Sequence, residues 1–206
     1  MGRTQDQRKA DTRARLLTAA ADLFAEHGVD SVSVDAVAEA AGRTSGAVYA
    51  HFGSKQGLLL ALLDDWAHSL VTVIAAEFEI AAGVEDRLRA VATNVVIHPS
   101  EQTRRMLLLE EELWLRSARD SDVAAALRTR LRESHERMTR GFAAWIEAGS
   151  IPRADAADLA TAFRAVVLGL VLQRRVAPDL VDVSSAERAL ATVLGLDTVH
   201  IDRPIH

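Results

Sequence analysis

Apolar side chains recur every three or four positions along almost the whole 206-residue chain. This is the spacing of one face of an α-helix. Glycine or proline interrupts the runs, so the pattern predicts about nine helices, over roughly 11–27, 34–41, 45–51, 54–82, 84–97, 101–117, 121–148, 155–176 and 185–195. No short alternating segments bounded by hairpin turns occur, and we expect an all-α fold.

The composition agrees with a helical protein and excludes several kinds of site. The chain has 37 alanines and 25 leucines but only 4 prolines. It has no cysteine, which excludes disulfides, cysteine-ligated zinc and cysteine nucleophiles. Uncharged runs such as 66–76 and 90–100 are about half of what a membrane span needs. The N-terminus has no apolar signal segment, so we expect a cytoplasmic protein with no membrane partner.

The net charge of -5 is unevenly distributed. Residues 1–15 carry five basic and two acidic side chains, a net of +3, and residues 1–55 carry seven of each, a net of 0. Residues 56–206 carry 17 basic and 22 acidic side chains, a net of -5. A shift of this kind indicates two parts with different partners. We expect domains at 1–53 and 54–206.

Residues 33–52 contain two short predicted helices joined by a turn at Gly42, with a longer helix on each side. This is the helix-turn-helix layout, in which the second short helix can enter the major groove of DNA. Ala38 and Ala41 are small enough for the two helices to cross closely. The second helix begins with short side chains at residues 44–47, which would allow its backbone to approach a groove wall.

This region resembles the DNA-binding domain of the TetR family of bacterial transcriptional repressors. The resemblance rests on Arg13-x-x-Leu16, Ala19-Ala20-x-x-Leu23-Phe24-x-x-x-Gly28, Val37-Ala38-x-x-Ala41-Gly42-x-Thr44-x-Gly46-Ala47-Val48-Tyr49-x-His51-Phe52 and Ser54-Lys55-x-x-Leu58. It implies an N-terminal three-helix DNA-binding domain, a C-terminal helical bundle and a homodimer. It also implies DNA contacts from Ser33, Thr44, Ser45, Gly46, Ala47, Tyr49, His51 and Lys55.

Position 43 departs from the resemblance, because this family usually has a small apolar residue there and this chain has Arg43. Its guanidinium could read a guanine edge, which is the commonest specific contact of arginine, or it could contact a phosphate. An ordinary solvated surface charge is the other interpretation. The basic segment from Arg3 to Arg15 likewise could contact DNA as an N-terminal arm or be a solvated tail.

The part after residue 54 places large apolar side chains on single helix faces. They could be ordinary core, or they could line an effector cavity between helices. The candidate pocket residues are Trp66, Leu70, Met106, Glu110, Trp114, Met138, Phe142, Phe163 and Gln173. The resemblance places such a cavity in this part and the dimer interface on the last two helices, 155–176 and 185–195.

The preferred interpretation is a homodimeric repressor that binds a palindromic double-stranded DNA operator and is released by a small-molecule effector. It would need no cofactor or metal and would not be an enzyme. The same DNA binding could also be activating or architectural. The alternative from another class is a helical-bundle enzyme or metal-binding protein that uses Asp65, His68 and Glu110.

Overall fold

A computed structural model describes the backbone of residues 4–80 and 83–196, and the side chains of 4–67 and 83–196. These residues form nine α-helices and no strand, which confirms the predicted fold class. The helices are α1 (Gln5–His27), α2 (Val34–Ala40), α3 (Ser45–Phe52), α4 (Lys55–Ile80), α5 (Val84–Val91), α6 (Glu101–Ser117), α7 (Ser121–Glu147), α8 (Ala156–Val176) and α9 (Val183–Val193).

Helix α1 begins six residues earlier than predicted. The Gln7 amide donates to Thr4 Oγ1 over 3.3 Å and the Thr4 amide donates to Gln7 Oε1 over 2.9 Å, which forms a capping box. Most of the basic segment is therefore helical and is not an extended arm. Arg3 lies outside the described residues.

The start of α9 also differs from the prediction. The sequence predicts a capping box at Ser184 and Glu187, but Asp182 caps α9 by accepting the Ser185 amide over 2.7 Å. That hydrogen bond lowers the pKa of the Asp182 carboxyl below its ordinary value. Glu187 is instead buried and pairs with Arg89 Nε over 2.9 Å.

The helix predicted over 84–97 is continuous but changes type. Helix α5 is followed directly by a π-helical segment, Ala92–Ile97, in which hydrogen bonds span five residues. The His98 amide closes it by donating to the Thr93 carbonyl over 2.7 Å. The segment ends before Pro99, as the sequence predicts.

The chain forms two compact units. The first comprises residues 1–69 and 104–130. In it α1, α2 and α3 pack on one another, around side chains that include Leu16, Phe24, Val37, Val48, Leu58 and Leu63. The second comprises 70–103 and 131–206, where α8, α9, α5 and the π-helical segment pack together. Its buried side chains include Leu88, Val96, Phe142, Ala160, Leu190 and Leu194. The division into functional domains at 1–53 and 54–206 stays a prediction.

A buried arginine joins three helices of the first unit. Arg130 of α7 is 8% exposed at its side chain, and its Nη1 donates to Glu110 Oε1 of α6 over 2.7 Å. Its Nη2 donates to the Leu63 carbonyl of α4 over 3.2 Å. Its Nε lies 2.7 Å from Asp64 Oδ1, an ion pair rather than a directed hydrogen bond. Arg130 therefore holds α4, α6 and α7 together.

Helix α8 is unusually apolar for a helix that is largely uncovered. Among the described residues it is the one helix long and apolar enough to cross a membrane by length and composition, and only 17% of that stretch is buried. A helix in a bundle can show the same composition when one face covers the core and the opposite face is also apolar. The lengths of the uncharged runs in the sequence did not reveal this property.

Candidate nucleic-acid interface

The geometry of the two short helices is set by the turn between them. Gly42 has φ +63°, a left-handed conformation that glycine adopts without a steric penalty. The Arg43 amide donates back to the Ala38 carbonyl over 2.8 Å, which closes the turn. The Ser45 hydroxyl donates to the Asp35 carboxylate, so the start of α3 is tied to the first turn of α2.

Helix α3 has one buried and one exposed face. Val48 is completely buried, while Gly46, Tyr49 and Ala50 are exposed at spacings of three and four residues. Tyr49 is 55% exposed, which is unusual for a large aromatic side chain. Ala50 lies on the same exposed face and was missed by the sequence analysis, although its spacing of four from Gly46 was a usable signal.

Gly46 is not required by the fold of the free protein. A Cβ at this position would meet only Thr44 Oγ1, at an ordinary contact distance of 3.8 Å. Gly57 is different, because a Cβ there would lie 2.0 Å from the Phe52 carbonyl oxygen. A glycine with free space around it costs helix stability, so packing within the free protein gives no reason for a glycine at position 46.

Ser33 and Thr44 both precede a short helix, but only one of them caps it. Serine and threonine at these positions both predict an N-cap. Ser33 Oγ accepts the Ala36 amide over 3.0 Å, which confirms the cap of α2. Thr44 makes no side-chain capping hydrogen bond, so the expectation that it caps α3 is wrong. Its exposed hydroxyl is not used in capping.

Lys55 and His51 lie near the end of α3. Lys55 Nζ donates to the Val32 carbonyl over 2.7 Å and to the Asp30 carbonyl over 3.3 Å. An ammonium group has three donors, so one N–H stays available for a phosphate. His51 is partly exposed, and its ring centroid is 5.9 Å from that of Phe52.

Arg43 is directed toward α1. Its Nε donates to Thr12 Oγ1 over 3.3 Å, its Nη1 donates to the Gly42 carbonyl over 2.9 Å, and its Nη2 lies 3.7 Å from Asp11 Oδ2. Its side chain is partly buried. In this structure Arg43 is therefore a group bound within the protein rather than a freely solvated charge.

Four of the candidate pocket residues lie in the first unit. Trp66 and Met106 are buried, Trp114 is exposed, and Glu110 is the partner of Arg130. An open cleft of about 440 Å³ also lies in this unit, and no candidate pocket residue lines it. Its lining residues are Asp30, Glu112, Leu115, Arg116, Ala118, Arg119 and Asp120.

The other five candidates lie in the second unit, where two of them are in direct contact. The ring centroids of Phe142 and Phe163 are 5.4 Å apart, and Arg164 links α8 to Met138 through a contact of 3.4 Å to its sulfur. Gln173 is exposed on α8. The side chain of Leu70 lies outside the described residues.

Two of the three residues of the enzyme alternative have arginine partners. Asp65 Oδ1 lies 3.5 Å from Arg13 Nη1, and Glu110 is bound by Arg130. The side chain of His68 lies outside the described residues. Within the part of the chain that the structure describes, no group of three or more histidine, aspartate or glutamate side chains could hold a metal ion.

Comparison with protein families agrees with this geometry. Residues 16–62 match the family model of bacterial regulatory proteins, tetR family. Residues 84–196 match the C-terminal model of BetI-type transcriptional repressors. The chain belongs to the TetR family. It is therefore a DNA-binding transcriptional regulator of a family whose members are usually repressors.

Relatives of this TetR-family chain match it over nearly its full length. The transcriptional regulator AcrR of Shigella flexneri is 30% identical over 205 residues, which cover 94% of this chain and 92% of AcrR. The regulator TtgR of Pseudomonas putida is 28% identical over 211 residues, 98% of this chain and 97% of TtgR. The crystal structure of RolR with resorcinol has a TM-score of 0.66 at 20% identity and covers 98% of both chains, which shows the shared fold.

Proposed function

We propose that this TetR-family protein is a homodimeric repressor that binds a palindromic operator and is released by a small-molecule effector. The exposed face of α3 carries the proposal. The fold does not require a glycine at position 46, and the large aromatic side chain of Tyr49 is exposed to solvent. Each subunit would place α3 in a major groove, with half-sites about one helical turn or slightly more apart.

The DNA contacts that we assign are made by individual hydrogen-bond donors and not by a broad basic surface. Residues 1–55 have a net charge of 0, so general attraction to the phosphate backbone is weak. Ser33, Tyr49, His51 and Lys55 would contact phosphates, while residues 44–47 would face base edges. Selecting an operator from a random double-stranded DNA pool with the purified protein tests this assignment. Failure to enrich any sequence would refute the proposed function.

Replacing Lys55 with methionine should weaken operator binding and reduce the salt dependence, because one phosphate contact per subunit is lost. We expect the slope of log binding constant against log salt to fall by about one per subunit. Fluorescence anisotropy across a salt series measures this slope. Arg128→Met removes one positive charge from an exposed site on α7 and should leave the slope nearly unchanged. Equal slopes for both variants would refute the Lys55 contact.

The dimer interface is supported by the uncovered face of α8. Ala162, Ala165, Gly169, Leu172 and Val176 follow one another at helical spacing, and Val176 is 85% exposed. The small residues would let α8 of two copies approach closely. We assign the interface to α8 alone, because Leu190 of α9 and Leu194, which follows α9, are buried within their own subunit.

Replacing Leu172 with glutamate should convert the dimer to monomers. Burying an unpaired carboxylate in the interface would raise the dimer dissociation constant about 100-fold, which corresponds to about 3 kcal/mol. Sedimentation velocity over a concentration series measures the change. Leu115→Glu introduces the same charge on an exposed leucine of α6 and should leave the dimer intact. A Leu172→Glu protein that stays dimeric would place the interface elsewhere.

The effector site is proposed in the second unit, near Met138, Phe142 and Phe163. Phe142 also packs edge-on against Trp145, at 5.6 Å between ring centroids. RolR binds resorcinol, an aromatic molecule, and an apolar or aromatic effector would suit these side chains. By linkage, an effector must weaken operator binding by the factor by which the operator weakens effector binding. Measuring both factors tests the release, and a reporter gene in a deletion strain separates repression from activation.

A further inference from the structure

We propose that Arg43 is a positioning residue for the recognition helix α3 and does not read a base. The proposal rests on the DNA-binding function proposed above. It decides between the interpretations that the sequence left open for this residue. Arg43 stands immediately before the N-cap of α3, so a contact from Arg43 to another helix fixes where α3 begins.

The guanidinium of Arg43 is held by acceptors of the protein itself. Thr12 Oγ1 of α1 accepts from its Nε, and the Gly42 carbonyl of the turn accepts from its Nη1. Asp11 Oδ2 lies 3.7 Å from its Nη2 and 3.4 Å from Arg15 Nε. To reach a base, Arg43 would give up both hydrogen bonds and leave Asp11 with one fewer positive neighbour beside the DNA.

The other end of α3 is held by the same part of α1. The guanidinium of Arg13 lies 5.7 Å from the centroid of the Phe52 ring, at the last residue of α3. The Arg13 Nη1 atom also lies 3.5 Å from Asp65 Oδ1 of α4. The side chains of residues 11–13 of α1 therefore contact both Arg43, which precedes the N-cap of α3, and Phe52, the last residue of α3.

Orientation matters more here than in a helix with long reading side chains. Apart from Tyr49, the exposed face of α3 is formed by Gly46 and Ala50, with Ala47 partly exposed beside them. These short groups cannot adjust their reach. An eight-residue helix is about 12 Å long, so a tilt of about 10° would move its far end by about 2 Å. Such a shift would separate the backbone from the groove wall.

The decisive variant is Thr12→Val, which removes the hydroxyl without changing charge or shape. If Arg43 positions α3, we expect operator binding to weaken about three- to tenfold, the range for one or two lost hydrogen bonds. Arg43→Gln should weaken it by a similar factor, and the double variant should be no worse than the weaker-binding single variant. Thr12→Ser keeps the hydroxyl and should restore binding. If Arg43 reads DNA, Thr12→Val frees it and should strengthen binding instead.

Two further measurements separate positioning from direct contact. Under the proposal, Arg43→Gln leaves three quantities unchanged. These are the slope of log binding constant against log salt, the affinity for random DNA, and the base preference at every operator position. Loss of preference at one base pair, or a slope lower by about one per subunit, would overturn it. Measuring the concentration of binding-competent protein in each preparation, by titration against excess operator, corrects the affinities for any misfolded fraction. If the unchanged protein selects no operator, the proposed function fails. If it binds and Thr12→Val changes nothing, only the positioning role fails.

Discussion

Replacing Arg130 with alanine is expected to lower the free energy of unfolding by about 3 kcal/mol, because breaking a buried ion pair leaves an uncompensated charge. Glu110 loses its partner at 2.7 Å and is only 20% exposed at its side chain. The Leu63 carbonyl loses its donor as well. Asp64 contributes less, because its side chain is 47% exposed and water can solvate it.

Urea unfolding monitored by circular dichroism measures this loss. Arg128→Ala is a matched control, because Arg128 lies two residues earlier on α7 and is exposed. We expect that control to change stability by less than about 0.5 kcal/mol. Glu110→Gln should lower the free energy of unfolding more than Asp64→Asn does, because the Glu110 carboxylate is less exposed than that of Asp64. Equal midpoints for the Arg130→Ala and Arg128→Ala proteins would refute the stabilising role of the cluster.

Replacing Gly46 with alanine is expected to stabilise the fold and at the same time to weaken operator binding. A Cβ at this position has room in the free protein, and alanine favours helix over glycine by up to about 1 kcal/mol. The variant should therefore unfold at a slightly higher temperature. The added methyl group would stand between α3 and the groove, and operator binding should weaken at least about tenfold, the factor for about 1.4 kcal/mol.

Two other glycines provide controls for this experiment. Gly141 lies within α7, and a Cβ there would have nothing within 4 Å, so Gly141→Ala should raise stability and leave operator binding unchanged. Gly57→Ala should destabilise the protein, because its Cβ would clash with the Phe52 carbonyl. If Gly46→Ala binds the operator as tightly as the unchanged protein, α3 does not approach DNA through this face.

The local features of the fold were predictable because each depends on a few neighbouring residues. Helical spacing gave the helices, and the Ser33 cap and the Gly42 turn follow from residue types with specific backbone preferences. The early start of α1 was also readable, since Thr4-x-x-Gln7 is a capping-box pattern. The Asp182 cap of α9 was missed because Ser184 offered a competing start only two residues later.

Features that join distant segments were not predictable. Arg130, Asp64 and Glu110 are ordinary charged residues in sequence, and only the packing of three helices brings them together. The candidate pocket residues divide between two units for the same reason, because spacing shows which face of a helix is apolar but not which helix covers it. The contacts of Arg43 with residues of α1 are of this kind as well.

The π-helical segment between α5 and Pro99 decides which side chains of this stretch are buried. A π-helical segment of this kind corresponds to one extra residue inserted into an α-helix. One residue changes the direction of a side chain by about 100° around the helix axis. The wider turn therefore changes the direction of Val95 and Val96, which are buried, relative to Leu88. Deleting one residue here would restore a regular helix and turn these valines away from the positions they now fill.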